Sequence, residues 1–244
     1  MPLCLSVRMS DIFNERFGKL MKIAIDGPAG AGKSTISKGA AKRLGFVYID
    51  TGAMYRAIGL AAVRRGIDTA DAEGVKSILD DVDVAIRHNE NGQLIFLNGE
   101  DVSTDIRLPE ISVAASNVAV IPEVRLKLVE LQRKLAADTD VIMDGRDIGT
   151  YVLPDAELKI YLTASVEERA NRRCRELKEK GVETDFDAVK ADIEYRDKND
   201  SGREFAPLKP ADDSVYMDNT DMTLEESIDK VCELAQSRRV GNKV

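Results

Sequence analysis

The sequence contains no tryptophan, one histidine and three cysteines among 244 residues. Cys4, Cys174 and Cys232 are odd in number and form no CxxC pair, which argues against a disulfide framework or a zinc site and favours a reduced, cytoplasmic setting. No run of about 18 apolar residues occurs, so we expect no membrane span. The formal net charge of −8 argues against a broad basic surface for polymeric nucleic acid.

The first twenty residues also lack a continuous apolar segment. We predict that residues 1–20 are a leader that is either disordered or a mis-assigned gene start, because Met21 stands directly before the first predicted strand. A secretory signal peptide is the weaker alternative.

Short apolar runs alternate with segments of helical spacing in the rest of the chain. "IAI" (23–25) and "FVYID" (46–50) read as buried strands, each followed by a helical pattern, and Gly45 and Gly66 end those two helices. This order predicts a parallel sheet with crossover helices. Further core strands are predicted at 141–145, 158–163 and 214–218.

Between these parts, the sequence changes to the alternation typical of antiparallel strands. Val82, Val84 and Ile86 alternate with polar residues, "ENG" forms a turn, "QLIFL" returns, and Asn98-Gly99 turns again. An antiparallel meander of about 20 residues that interrupts an α/β chain indicates an inserted subdomain.

The segment "GPAGAGKS" (27–34) matches GxxxxGK[ST] at every fixed position. Glycines let consecutive N–H groups face one anion, and the following helix adds its positive end. We expect Lys33 to reach the β- and γ-phosphates and the Ser34 hydroxyl to bind Mg²⁺. The alternative, a glycine-rich turn that binds nothing, does not explain the flanking strand and helix. The predicted ATP-binding residues are Gly27, Pro28, Ala29, Gly30, Ala31, Gly32, Lys33, Ser34 and Thr35.

Candidate acceptor-binding residues follow two core strands. Arg56, in "DTGAMYR", and Arg146 with Asp147, in "DGRDIGT", fall at the carboxyl edge of the sheet, where doubly wound folds bind ligands. Arginine suits this role because its planar fork grips phosphate. Taken singly, Arg56 can also be a helix-surface residue, and the Arg146–Asp147 segment a solvated turn.

Other polar residues carry weaker signals. Ser116 and Arg125 fit an ordinary surface helix, and the basic segment from Arg169 to Lys178 fits a solvated face. His88 lies in the meander, where a lone histidine is usually structural or solvated.

Taken together and in order, "IDGPAGAGKST", "DTGAMYR", "AASNVA…VR", "DGRDIGT" and "RDKNDSGR…APL" closely resemble the bacterial cytidylate kinase family, from about Met21 to the final helix. The resemblance implies an α/β fold of the P-loop nucleoside monophosphate kinase type: a parallel sheet flanked by helices, an inserted small antiparallel β subdomain and a helical lid. It implies one kinase domain, 21–244, with its core in 21–80, 117–165 and 205–244, a monophosphate-binding insert at 81–116 and a lid at 166–204. The sequence departs from the family in the leader, and Thr51 stands where serine is also seen.

The resemblance further implies ATP-dependent phosphorylation of CMP and dCMP, with Mg²⁺ as cofactor. By position, Thr51, Ser116, Arg125 and Asp147 are similar to the cytosine-recognition set. Arg56, Arg146 and Arg203 are similar to the acceptor-phosphate set, and Tyr55, Arg196 and Asp200 to the ribose and phosphate set. The implied catalytic residues are Lys33, Arg146, Arg196 and Arg203, and Arg169 or Arg173 completes the site from the lid.

The chemistry of cytosine agrees with this set. A carboxylate such as Asp147 accepts from the exocyclic amino group, and an arginine such as Arg125 donates to the ring acceptors. Uracil reverses two of these groups and leaves buried partners unpaired.

Two other functions stay open from the residues alone. The chain can be another small-molecule P-loop kinase, acting on UMP, AMP or a non-nucleotide acid. It can also be a nucleotide-dependent switch, although it lacks the NKxD segment of guanine-specific switches. We expect ATP and CMP or dCMP as partners, no nucleic-acid polymer, no membrane and a monomer.

Overall fold

The computed structural model describes residues 20–90, 92–179 and 181–241. Apart from Leu20, the predicted leader lies outside the described residues, as does Cys4. In the described ranges, a five-stranded parallel sheet is flanked by helices and accompanied by a three-stranded antiparallel sheet. The predicted fold class is therefore confirmed. No helix in those ranges is both long and apolar enough to cross a membrane.

The elements of the described ranges have the following bounds. The strands are β1 Lys22–Asp26, β2 Val47–Asp50, β3 Val84–Asn89, β4 Gly92–Leu97, β5 Glu100–Asp101, β6 Val141–Gly145, β7 Leu158–Thr163 and β8 Val215–Asp218. The helices are α1 Lys33–Leu44, α2 Thr51–Arg64, α3 Ala72–Ser77, α4 Pro109–Val118, α5 Pro122–Leu135, α6 Val166–Glu179, α7 Phe186–Gly202 and α8 Leu224–Gly241.

The central sheet has the strand order β2-β6-β1-β7-β8, with every pair parallel. Its strands are short apolar runs because both of their faces are covered by helices. The register pairs Asp26 with Gly145 and Asp50 with Asp144. The carboxyl ends of β1, β2 and β6 consequently place three aspartates along one edge.

Two apolar cores cover the faces of this sheet. One includes Ile36 of α1 and Ile228 of α8, and the other includes Met54 of α2 and Leu128 of α5. Gly45 ends α1 in the left-handed conformation, with φ +71°, as its position predicts. Burial of these helix faces against the sheet provides most of the favourable free energy of folding.

Hydroxyl side chains cap the starts of two helices. The Glu168 N–H donates to the Ser165 hydroxyl at 3.2 Å before α6. At the start of α8, the Glu226 N–H donates to the Thr223 hydroxyl at 3.2 Å, and the Glu226 carboxylate accepts the Thr223 N–H at 2.8 Å. This reciprocal pair is a complete capping box.

The antiparallel sheet has the order β3-β4-β5 and is joined to the end of β2 by side chains. The Gln93 amide oxygen accepts the Asp50 N–H at 2.9 Å, and its nitrogen donates to the Asp50 carbonyl at 3.3 Å. His88 Nε2 lies 2.9 Å from the Tyr48 carbonyl. The single histidine thus has a structural contact with β2.

Some elements were not anticipated from the sequence. A π-helical turn covers Ile148–Val152 after β6, and the short helix α3 precedes the antiparallel sheet. The Asp26 carboxylate holds the start of the π-turn by accepting the N–H groups of Ile148 and Gly149, at 2.8 and 2.7 Å. These hydrogen bonds connect the end of β1 to the "DGRDIGT" segment.

Candidate active site

A cleft of about 730 Å³ opens at the carboxyl edge of the parallel sheet, beside the ends of β2 and β6. Open α/β sheets bind ligands at this edge, where the loops after the strands converge. The loop between β1 and α1 forms one side of the cleft, and residues of α2, α4, α5 and α7 form the other side. We call the side formed by the β1–α1 loop the donor half and the opposite side the acceptor half, after the roles predicted from the sequence.

The donor half is built on a tightly packed glycine loop. At Gly27, with φ +154°, an added Cβ would lie 1.9 Å from the Leu162 carbonyl oxygen, so a side chain does not fit there. Lys33 Nζ reaches back to donate to the Pro28 carbonyl at 2.7 Å. Burial, with a smaller effect from Arg146, lowers the pKa of Lys33 to about 7. Phosphate groups in this loop raise that pKa again because they favour the charged amine.

Asp144 connects the donor loop to the end of β6. Its Oδ2 accepts the Ser34 hydroxyl and its Oδ1 accepts the Tyr48 hydroxyl, both at 2.9 Å. Burial and then the nearby Asp50 raise the pKa of Asp144 to about 6. Asp144 was not predicted from the sequence to be a site residue. An apolar strand that ends in aspartate is the signal that could have found it, because such a residue helps to hold Mg²⁺ in P-loop enzymes.

The residues beside the donor loop fit a nucleotide-borne magnesium ion. In the described part of the chain, no group of three or more His, Cys, Asp or Glu residues is arranged to hold a metal ion. Mg²⁺ in nucleotide sites takes only one or two protein oxygens and fills its shell with phosphate and water. The Ser34 hydroxyl and the Asp144 carboxylate, 2.9 Å apart, offer such a pair.

Asp50 forms ion pairs with two arginines in the acceptor half, Arg56 and Arg107. Its Oδ2 lies 2.9 Å from Arg56 Nη2 and 3.3 Å from Arg107 Nη1. Burial opposes the ionised carboxylate, but Arg56 and Arg107 outweigh it and hold the pKa of Asp50 below its ordinary value. Arg107 comes from the segment after β5 and was not predicted. The Thr51 hydroxyl next to Asp50 donates to the Asp144 carbonyl at 2.7 Å.

A buried ion pair lies at the back of the acceptor half. Arg125 Nη2 donates to Asp147 Oδ2, and Arg125 Nη1 donates to the Ala119 carbonyl at 3.2 Å. The exposed fraction of Arg125 is only 1%, and that of Asp147 is 4%. The Tyr55 and Phe205 rings lie 5.6 and 6.0 Å from the Arg125 guanidinium carbon. Arg125 is thus held by one carboxylate, one carbonyl and two aromatic faces.

Arg146, in the loop after β6, and Arg203, which directly follows α7, meet at Asp200. Arg146 Nε donates to Asp200 Oδ2 at 2.6 Å, and Arg203 Nη1 lies 3.8 Å from Asp200 Oδ1. Arg203 Nη2 also lies 3.8 Å from Asp147 Oδ1. Burial and then the neighbouring Arg146 lower the pKa of Arg196. This excess of buried positive charge favours an anionic ligand.

The structure brings most of the predicted site residues together. Gly27, Pro28, Ala29 and Ala31 shape the donor loop but do not line the cleft. The remaining predicted residues line it: Gly30, Gly32, Lys33, Ser34, Thr35, Thr51, Tyr55, Arg56, Ser116, Arg125, Arg146, Asp147, Arg196, Asp200 and Arg203.

The two lid arginines considered from the sequence have different surroundings. Arg169 is buried; its Nη1 donates to the Ala29 carbonyl at 2.9 Å and to Asp197 Oδ2 at 2.5 Å. Arg173 lines the cleft and pairs with Glu176 at 2.7 Å. Arg172, which also lines the cleft, donates to the Asn219 side-chain and backbone oxygens at 3.0 and 2.8 Å. Arg169 therefore supports the donor loop from behind, and Arg172 and Arg173 face the cleft.

The sequence is similar to those of known proteins over most of its length. A sequence profile of the cytidylate kinase family matches residues 23–237. A cytidylate kinase from Caldicellulosiruptor saccharolyticus is 55% identical over 226 residues, which cover 93% of this chain and 100% of the relative. One from Lactobacillus johnsonii is 49% identical, over 90% of this chain and 96% of the relative.

A gluconokinase structure from Sinorhizobium meliloti shares 11% identity over 91% of this chain and 97% of that chain, with a TM-score of 0.48. The family profile spans most of the sequence, and close relatives of the same family match nearly end to end. The chain therefore belongs to the cytidylate kinase family.

Proposed function

We propose that this protein transfers the γ-phosphoryl group of ATP to CMP and dCMP, producing CDP and dCDP for pyrimidine nucleotide metabolism. Membership of the family makes the chain a phosphotransferase. The observation that carries the substrate assignment is the buried Arg125–Asp147 pair, which lies in the same cleft as the glycine loop.

Base recognition follows from the chemistry of that pair. An ionised Asp147 only accepts hydrogen bonds, which matches the amino group of cytosine, and Arg125 only donates, which matches the ring nitrogen and carbonyl. Ser116 and Thr51 complete this set with hydroxyl groups. Uracil presents a ring N–H and a second carbonyl instead. The Arg125 donors would then face a donor, and the Asp147 acceptors would face an acceptor.

The acceptor phosphate is assigned to Arg56, Arg146 and Arg203. Asp50 holds Arg56, and Asp200 holds Arg146, so each arginine is oriented before the substrate arrives. Such preorganisation lowers the entropic cost of binding and of aligning the reacting atoms. Tyr55, Arg196 and Asp200 are assigned to the ribose and its phosphate.

Phosphoryl transfer itself needs alignment and charge compensation. An oxygen of the acceptor phosphate attacks the γ-phosphorus, and the bond from that phosphorus to the β–γ bridging oxygen breaks to release ADP. The acceptor phosphate is already anionic near neutral pH, so no general base is required. Lys33 stabilises the charge on the moving group, together with the arginines that face the cleft.

Ser34 and Asp144 are the residues assigned to Mg²⁺. Bound together with ATP, Mg²⁺ would supply positive charge that offsets the negative charge of the phosphates. Ser34 sits at the start of α1, and Asp144 is fixed by the Tyr48 hydroxyl.

The lid region, assigned to residues 166–204, is proposed to close over the reacting groups and to exclude water, which prevents wasteful ATP hydrolysis. Arg173 is assigned as the lid arginine that completes the site, because Arg169 is already bound to the Ala29 carbonyl. We assign the monophosphate-binding insert to residues 81–116 and the core to residues 21–80, 117–165 and 205–244.

The remaining assignments concern partners and location. We assign ATP and CMP or dCMP as partners, a monomeric state and a cytoplasmic location, with neither nucleic-acid polymers nor membranes as partners. Cys174 and Cys232, the cysteines of the described ranges, are both free thiols, which agrees with a reducing compartment.

An acceptor panel tests the proposal. CMP, dCMP, UMP and AMP are supplied at equal concentration with MgATP, and ADP formation is followed in a coupled assay. We expect CMP and dCMP to be used far better than UMP and AMP. Preference for another acceptor would assign a different kinase activity, and slow ATP hydrolysis with every acceptor unused would favour a nucleotide-dependent switch.

A further inference from the structure

Gln132 is a fully buried residue of α5 whose polar atoms are unpaired. Its exposed fraction is 0%, yet it lines the cleft. Neither its amide oxygen nor its amide nitrogen has a hydrogen-bond partner within the described ranges. A buried amide that lacks both partners is unusual and lowers stability unless a ligand pairs with it.

The position of Gln132 on α5 directs it towards the acceptor half. Gln132 follows Arg125 by seven residues, or about two helical turns, so both side chains leave the same side of the helix. Burial raises the pKa of the Tyr55 hydroxyl to about 12, and a polar contact from the Gln132 side chain opposes this rise, which places Gln132 next to Tyr55. Arg125 and Tyr55 both belong to the predicted acceptor site.

Other unpaired atoms surround the same space. Ser116 Oγ, Arg125 Nε and Arg203 Nη2 are buried and also lack hydrogen-bond partners in the described part of the chain. All three residues line the cleft and belong to the predicted acceptor set. Gln132 shares their burial, their location and their unpaired state.

We propose that Gln132 is a further acceptor-binding residue, whose side-chain amide hydrogen-bonds the pyrimidine base. This inference rests on the proposed function, because it takes the base of a nucleoside monophosphate as the ligand. The amide has one acceptor oxygen and two N–H donors, and a pyrimidine edge offers both donors and acceptors. Base binding therefore pairs the two groups that are unpaired in the free protein.

Gln132 differs from Asp147 in the selectivity that it provides. An amide can turn by 180° about its last torsion and exchange its donor with its acceptor, whereas a carboxylate cannot. Gln132 consequently pairs with cytosine and with uracil and strengthens binding of both. Asp147 and Arg125 hold fixed hydrogen-bonding roles and supply the discrimination.

The variant Gln132→Met tests this proposal because methionine keeps the volume and removes both polar groups. We expect kcat/KM to fall by about tenfold for CMP, dCMP and UMP alike, the loss expected for one hydrogen bond. The melting temperature of the unliganded protein should rise by a few degrees, since two unpaired buried groups are gone. The increase in melting temperature caused by CMP should shrink.

Gln93→Met is the matched control for stability. Both polar atoms of Gln93 are already paired with the Asp50 backbone, so its replacement should lower the melting temperature. If Gln132→Met also lowers the melting temperature and leaves kcat/KM for the acceptors unchanged, the Gln132 amide has a structural role and the proposal is overturned. A loss confined to CMP with dCMP unaffected would indicate a ribose contact and would also overturn it.

A measurement on the unmodified protein covers the case in which Gln132→Met does not fold. The chain has three glutamines, Gln93, Gln132 and Gln236, so glutamine-selective ¹⁵N labelling gives few side-chain amide signals. CMP should shift the Gln132 signal strongly and the exposed Gln236 signal little. An unshifted Gln132 signal at saturating CMP would refute the contact. Failure of the proposed function is separate, because wild-type protein would then show no preference for CMP in the acceptor panel.

Discussion

The carboxylate of Asp197 accepts the backbone N–H of Ala29 at 3.0 Å and thereby joins α7 to the donor loop. Arg169 strengthens this contact between α7 and the loop, because it donates to both the Ala29 carbonyl and the other carboxylate oxygen of Asp197. Arg196 and Asp200, from the acceptor half, lie on the same helix as Asp197. One helix therefore contacts the glycine loop and carries two residues that line the cleft.

Asp197→Ala should weaken ATP binding more than CMP binding. The substitution frees the Ala29 N–H and leaves Arg169 buried beside the loop without its carboxylate, so the loop loses its support. We expect KM for ATP to rise by about tenfold, the size expected for a hydrogen bond to a charged group. Initial rates at varied ATP and fixed saturating CMP measure this. Asp187→Asn, an exposed carboxylate of the same helix, is the control, and an equal rise of KM in both variants would contradict the support role.

Arg56→Ala should reduce use of the acceptor and leave ATP binding nearly unchanged. Arg56 is oriented towards the cleft by Asp50 and lies on α2, away from the donor loop. Loss of a phosphate-binding guanidinium should lower kcat/KM for CMP by on the order of 100-fold. Arg64→Ala, which removes exposed ion pairs with Glu100 and Asp105 from the same helix, should have little effect. Unchanged turnover of CMP in Arg56→Ala would remove this residue from the site.

Asp147→Ala should narrow the preference for CMP over UMP. The variant loses the acceptor for the cytosine amino group, so the ratio of kcat/KM for the two nucleotides should fall by at least roughly tenfold. Stability should fall as well, because Arg125 stays buried without its partner. Comparison at a temperature well below the melting point separates the two effects. If the ratio of kcat/KM for CMP and UMP equals that of the wild type, the assignment of Asp147 to cytosine recognition is wrong.

Asp144→Asn should raise the Mg²⁺ concentration needed for activity. The neutral amide binds Mg²⁺ more weakly than the carboxylate, so we expect kcat to fall by roughly 100-fold at low Mg²⁺ and to recover partly at high Mg²⁺. Tyr48→Phe removes only the hydrogen bond to Oδ1 and should have a milder effect. Equal Mg²⁺ dependence in Asp144→Asn and wild type would exclude a role for Asp144 in holding the ion.

Asp26→Asn should change how stability depends on pH. Burial raises the pKa of Asp26 from 3.8 to about 7, against the opposing effect of the Gly149 and Ile148 N–H groups. Between these values the folded chain holds a proton that the unfolded chain has released, so this group makes the free energy of unfolding fall as pH rises towards 7. Each unit of pKa shift corresponds to about 1.36 kcal/mol.

Urea unfolding of wild type and Asp26→Asn at pH 5, 6, 7 and 8 measures this effect. The variant lacks one of the two acceptors for the π-turn, so its free energy of unfolding should be lower by an amount that does not depend on pH. The free energy of unfolding of the wild type should fall from pH 5 to pH 7. The difference between the two proteins should therefore shrink over that range and then level off. A difference that stays constant over this range would show that Asp26 is ionised throughout.

The fold and the donor loop could be predicted because their signals are local. The glycine spacing of residues 27–34, the strand before it and the helix after it stand together in one segment, and each strand is a short apolar run. The elements that were missed depend on long-range contacts. Nothing near residues 148–152 indicates a π-turn, since Asp26, which holds it, lies 122 and 123 positions away in the chain from its two donors.

Arg56, Arg146 and Asp147 could be selected from their positions after core strands, but the other residues of the acceptor half were anticipated only by resemblance. Ser116 and Arg125 carry no local signal, and their roles stay predictions although the fold brings them to the cleft. The position of Asp144 at the end of an apolar strand could have indicated a functional residue. Arg107 has no such signal in the sequence, and the signal for Gln132 is only that it interrupts an apolar helix face. A polar residue in such a face is a hint of function because burial without a partner is costly.

The amino-acid sequence alone determined the class of ligand, the order of the strands and helices and the family, since backbone flexibility, apolar periodicity and motif order are written along the chain. Only the tertiary structure decided which carboxylate holds which arginine and which polar atoms stay unpaired. Those relationships join distant segments, as for Ala29 and Asp197, which are 168 positions apart in the chain, and they form only when packing removes water from between them.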